Sequence, residues 1–118
     1  MSSRLLTLVS VLGMFPGSGE IEFHTADGRV FRMFHYQDCC EDVRVEDVVG
    51  DAEDLLNSPI LRAEARSQDA SSPEDYESAT WTFYELVTNR GSVTLRWLGE
   101  SNGCYSEEVD FKEDTVAR

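Results

Sequence analysis

The stretch Thr80–Phe111, TWTFYELVTNRGSVTLRWLGESNGCYSEEVDF, carries the clearest fold signal in the chain. Trp81 to Thr88 is rich in aromatic and β-branched residues and ends at Asn89-Arg90-Gly91. Val93 to Leu98 alternates, with Val93, Leu95 and Trp97 on one face and Thr94 and Arg96 on the other. After Ser101-Asn102-Gly103, the run Cys104 to Phe111 reads as a third strand. It places Tyr105, Val109 and Phe111 on one side and Cys104, Ser106, Glu108 and Asp110 on a solvent side. Both links are short and contain glycine, so the three strands are expected to be sequential antiparallel neighbours. Arg96 is placed to pair across strands with one of those carboxylates.

Upstream, Arg4 to Leu12 fits either a strand or a short helix and is assigned to a strand on its β-branched Val9 and Val11, broken by the run Met14 to Gly19. Glu20 to Thr25 alternates, Ala26-Asp27-Gly28 is a hairpin turn, and Val30 to Tyr36 is apolar on both faces, as a mid-sheet strand is. Val43 to Glu46 reads as a short strand. Asp51 to Asn57 is helical in character, with Asp51 as N-cap and Asp54 near the positive end of the dipole, stopped by Ser58-Pro59. Ile60 to Ser67 is assigned to a strand and Asp69 to Ser78 to a surface loop. The expected fold is α+β: a strongly bent antiparallel sheet of five to seven strands with one short helix near 51–57. Residues 1–111 form the single domain, and 112–118 are a frayed acidic tail.

The 118 residues hold 23 Asp and Glu against ten Lys and Arg, a net charge of −13. The excess is bunched. Between Asp38 and Asp54 lie eight acids (Asp38, Glu41, Asp42, Glu46, Asp47, Asp51, Glu53 and Asp54) and one base, Arg44. Such a body is repelled by nucleic acid and drawn to basic surfaces. The longest apolar stretch, Leu5 to Phe15, is too short to span a bilayer and lacks the flanks of a signal peptide. Three cysteines, two of them adjacent, do not make a disulfide framework. A reduced, cytoplasmic protein away from membranes is expected.

The run from Gln37 (QDCCEDVRVEDVVGDAEDLLNSPILRAEA), together with Thr80–Phe111, resembles an uncharacterised family of small acidic bacteriophage proteins. The resemblance rests on the QDCCE, SPILRAE, TWTFYEL and RWLGESNG…YSEEVDF blocks and covers most of residues 30 to 111. Cys104 stands where the pattern usually has Tyr, and Tyr36 where Asp is common. The resemblance implies a phage or prophage accessory product acting inside a bacterium, and it transfers no catalytic residues.

No reaction is legible in the side chains. His35, Asp38, Cys39, Cys40 and Glu41, with His24 as a distant fourth ligand, lack the spacing of a zinc site. The reading preferred for Cys39 and Cys40 is one thiol in the core and one at its edge. A Cys nucleophile beside His35 has no third partner, and its acidic surroundings raise the thiol pKa. Asp51, Glu53 and Asp54 lack the loop spacing of a calcium-binding hand. No catalytic residue, metal or cofactor is expected.

Charge therefore carries the functional expectation. A non-enzymatic phage counter-defence protein, anti-CRISPR-like, binds the basic nucleic-acid-binding surface of a host protein or ribonucleoprotein complex, with no direct nucleic-acid contact. Carboxylates at alternate strand positions lie roughly 6.5–7 Å apart, which suits imitation of a DNA backbone. The partner-binding residues are the eight acids from Asp38 to Asp54, with Glu107, Glu108 and Asp110 as a second patch; self-association is left open. The alternative is a small-molecule sponge for a nucleotide immune signal, its site lined by Trp81, Tyr84, Arg96, Trp97, Asn102 and Tyr105.

Overall fold

The computed structural model describes residues 6–36, 41–69, 78–101 and 106–114. Eight strands follow in order: β1 (Leu8–Leu12), β2 (Glu20–Thr25), β3 (Val30–Phe34), β4 (Asp42–Val49), β5 (Arg62–Asp69), β6 (Ser78–Thr88), β7 (Gly91–Ser101) and β8 (Asp110–Asp114). One 3-10 turn, Ala52–Leu55, lies between β4 and β5. The strands form two antiparallel sheets of four, β1-β2-β3-β8 and β4-β7-β6-β5.

Alternation explains how the sheets meet. Ile21 and Phe23 of β2, Met33 of β3, Val43 and Val45 of β4, and Val93, Leu95 and Trp97 of β7 share one buried cluster. Each side chain points inward from its own sheet. Trp97, fully buried, crosses the interface and donates its Nε1–H to the Met33 sulfur at 3.2 Å. In β4 the register shifts between Val45 and Asp47, so Glu46 is the bulged residue. The bulge lets Val48 continue the inward row that Val43 and Val45 begin, while Asp47 faces outward opposite Arg96.

This architecture corrects the α+β expectation of one bent sheet with a helix near 51–57. There is no α-helix among the described residues. Asp51 is extended and its side chain makes no cap, and Leu56 returns to extended backbone and bridges to Leu8. Only Leu55 of the turn is buried. One buried leucine cannot anchor an amphipathic helix, so the segment closes as a single turn.

The expected three-strand meander also breaks. β6 and β7 are neighbours, but residues 106–109 are not strand and β8 pairs with β3 in the other sheet. The free side of β7 is taken by β4. Cys104 and Tyr105 lie outside the described residues. The tail expected from 112 is in part strand, since Lys112 pairs with Arg32 and Phe111 with Met33. β5 begins at Arg62, because Ile60 instead donates its N–H to the Leu6 carbonyl at 2.7 Å.

The β2–β3 hairpin is closed by charge as well as by its turn. The Asp27 carboxylate accepts from the Thr25 hydroxyl and from Arg29 Nε at 3.1 Å, and these bonds hold its pKa down at about 2, against an ordinary 3.8. Glu20, hydrogen-bonded by Arg32 at 2.8 Å, is also lowered from its ordinary 4.5. A depressed carboxylate stabilises the fold above its unfolded pKa and loses that contribution as pH falls through the folded value. The hairpin is thus expected to loosen between about pH 4.5 and 2. A carboxyl-detected NMR titration should give Asp27 a midpoint of about 2. A midpoint at 3.8 would show that the turn bonds do not form in solution.

Candidate functional site

Of the acids expected to face a partner, the structure gathers some and disperses others. β4 is an edge strand of the second sheet, and Asp42, Glu46 and Asp47 lie on it half-exposed. Between them stands Arg44, whose guanidinium reaches Asp42 and Glu100 at 3.0 Å each and Glu46 at 3.2 Å. Burial works against the Arg44 charge, but the Glu100 hydrogen bond and the fields of Asp42 and Glu46 outweigh it and raise its pKa. Arg96 holds Asp47 at 3.2 Å. Alternate positions of β4 therefore read negative, positive, negative, rather than as an unbroken anionic row. Asp51 and Glu53 are exposed on the segment after β4, and Asp54 is half-buried against Gly91. Asp38 lies outside the described residues.

Two of the expected contact acids are internal. The Glu41 side chain is fully buried and meets His35 Nε2 at 2.6 Å, while His35 Nδ1–H donates to the Glu108 carbonyl at 2.7 Å. The Glu107 carboxylate accepts from the Thr80 hydroxyl at 2.7 Å and from the Ser101 hydroxyl at 2.5 Å. The first two bonds join the segment before β4 to the end of β3 and to the segment before β8, and the second two join that last segment to β6 and β7. A buried carboxylate needs such donors, so Glu41 and Glu107 serve the fold rather than an exposed acidic face. Glu108 is exposed. Asp110 is half-buried near Tyr84, whose hydroxyl pKa is raised by burial and then by the Asp110 charge.

The side chains expected to line a nucleotide site do not converge. Trp81 and Arg96 are on the outer face of the second sheet, whereas Tyr84 and Trp97 point inward. Asn102 and Tyr105 lie outside the described residues. The outer face does carry a stacked pair, Trp81 and Phe83, with centroids 6.0 Å apart, capped by Arg96 and Arg66. The inner face holds what sequence reasoning missed: an apolar cleft of about 220 Å³ between the sheets, bordered by Phe31 and Phe111 on one wall and by Ala63, Ala65 and Tyr84 on the other. The signal in the sequence was the pair of alanines two apart in a strand, small where a sandwich core is normally filled. A more open recess of about 510 Å³ is lined with hydroxyls from Ser67, Ser78, Thr80 and Thr82 beside Glu107.

Residues 6–111 match the family described as a domain of unknown function, DUF7448. The chain belongs to that family. No curated protein matches it, and no solved structure does.

The DUF7448 match takes in β1 through β7 and enters β8, so the second sheet, the β4 edge and the described lining of the cleft fall within the family's extent. Among the described residues, no group of three or more His, Cys, Asp or Glu is placed to hold a metal ion. Cys39 and Cys40 lie outside those residues. No described helix is long and apolar enough to cross a membrane.

Proposed function

We propose that this DUF7448 protein is a non-enzymatic binding protein of phage or prophage origin that docks its acidic β4 edge on a cationic surface of a host defence complex. The carrying observation is the set of exposed carboxylates Asp42, Glu46, Asp51 and Glu53 along β4 and the segment after it, on a body of net charge −13. Arg44 pins two of these in place, which lowers the ordering cost on binding while leaving the cluster anionic. The sign alternation along β4 favours recognition of a basic patch over imitation of a DNA strand. The phage origin rests on the sequence resemblance, and the counter-defence role on that origin together with the net charge of −13. The sponge reading is the weaker one, because Trp81 and Arg96 lie on the face of the sheet opposite to Tyr84 and Trp97.

Changing Asp42, Glu46, Asp51 and Glu53 together to lysine tests the docking. The exposed pairs lost with Asp42 and Glu46 are worth about 0.2–1 kcal/mol each, so the fold should survive. Capture of the host partner by the wild-type chain should weaken steeply with salt and vanish in the variant. Capture that ignores both the salt and the four reversals would reject the acidic edge as the contact surface.

A further inference from the structure

We propose that the cleft between the two sheets is a binding site for a small, uncharged, hydrophobic molecule about the size of a fused bicyclic aromatic. This goes beyond the acidic edge and does not depend on it. Three observations carry it.

The first is the shape of the gap. All eight residues of β5 are exposed, so the first sheet leaves this strand uncovered. Ala63 and Ala65 are the β5 residues paired with Leu86 and Tyr84, and they face the cleft opposite Phe31 and Phe111. Two methyl groups set against two aromatic rings leave about 220 Å³ unfilled. Natural interiors hold few voids larger than a water molecule, and an apolar cavity of about 150 Å³ binds one benzene. By that scale this cleft takes about nine non-hydrogen atoms.

The second is the chemistry of the walls. Phe111 stacks on Phe31 at 5.6 Å and meets Phe23 edge-on at 5.8 Å, giving a fixed aromatic surface. The Tyr84 hydroxyl already donates to the Val109 carbonyl at 3.1 Å. Among the described residues the lining contains no Lys or Arg, and Glu64 is the one charged residue on it. An anion would meet repulsion there, and any charge buried against these rings would lack a counter-charge. A neutral ligand gains from the same walls.

The third is rigidity. The N–H of Ile60 is bonded to Leu6 and that of Leu61 to Val87, each at 2.7 Å, so main-chain bonds fix the corner where β1 approaches β5. The site is pre-formed and need not be ordered on binding.

Indole and naphthalene serve as neutral probes, with indole-3-acetate and tryptamine as charged counterparts, on the full chain. Indole should shift the Ala63, Ala65 and Leu86 methyl resonances saturably, with a dissociation constant on the order of 0.1 mM. At tenfold that concentration the melting temperature should rise by about 5 °C. Ala65→Leu fills the cleft and should weaken binding at least tenfold; Ala63→Val is the second filling variant should the first fail to fold. Arg66→Gln, on the opposite face of β5, should leave binding unchanged. The site is refuted if these methyls do not move up to the solubility limit of both probes. It is also refuted if a folded filling variant binds as wild type does, or if either charged analogue binds more tightly than indole.

Discussion

Replacement of His35 by alanine is expected to lower the stability of the fold by about 1–3 kcal/mol, the cost of removing one hydrogen-bonding partner from a buried polar contact. The His35 side chain is 3% exposed and its partner Glu41 is 0% exposed. Removing the ring leaves the Glu41 carboxylate without that contact and frees the Glu108 carbonyl. On a domain of this size the melting temperature should fall by at least about 4 °C. Urea denaturation measures the loss, and a change below about 0.5 kcal/mol would mean that the His35 contact contributes little to the burial of Glu41. A carbonyl can only accept, so Nδ1 carries a hydrogen and the contact with Glu41 needs another. That hydrogen sits on the ring as an imidazolium or on Glu41 as an acid. Glu41→Gln separates these states. A side-chain amide can donate to a neutral Nε2 and costs little there, whereas beside an imidazolium its oxygen accepts the ring hydrogen but supplies no counter-charge. Ring nitrogen shifts of His35 give the same answer by an independent route.

Trp97→Ala should cost about 3–5 kcal/mol by a different mechanism, the loss of a large packed side chain with incomplete collapse around the hole. Trp97 has 0% exposure and lies between the sheets, against Val45 in register and Met33 across the interface. Total stabilities of single domains run to about 5–15 kcal/mol, so this one change can bring the chain near its unfolding threshold. The other tryptophan, Trp81, is half-buried on an outer face. Trp97→Phe should therefore remove the more shielded, blue-shifted part of the emission and leave that of Trp81. Unaltered fluorescence, or a cost below about 1.5 kcal/mol for the alanine variant, would place Trp97 elsewhere than at the centre of the sandwich.

The periodicity of two was readable wherever one face of a strand is buried. It located Glu20–Thr25 to the residue and put Val93, Leu95 and Trp97 on the inner side. Val30 to Tyr36, apolar on both faces, does lead into a strand flanked on both sides, β3. Sheet membership was not readable. Local alternation cannot tell Phe111 whether its partner is Trp97 or Met33, because that choice depends on which strand lacks a neighbour after all others have paired. The bulge at Glu46 hid the second half of β4 for a similar reason, since one extra residue reverses the parity of all that follow. The acidic site was legible as composition but not as geometry. Glu41 and Glu107 look like their neighbours in sequence and differ only in having donors folded around them. The cleft left almost no mark, because a void is written in the smallness of Ala63 and Ala65 rather than in any reactive group.

The pairing of β8 with β3 sets an order on assembly. As the chain leaves the ribosome, β3 emerges early and must wait, one flank open, while β4 to β7 are made. During that interval the hydrogen-bonding groups that will meet Phe111 and Lys112 are an unguarded strand edge. Translation pausing inside β7, or a nonsense codon just after it, would thus release a species primed to stick to its own copies rather than a slightly shortened version of the mature molecule.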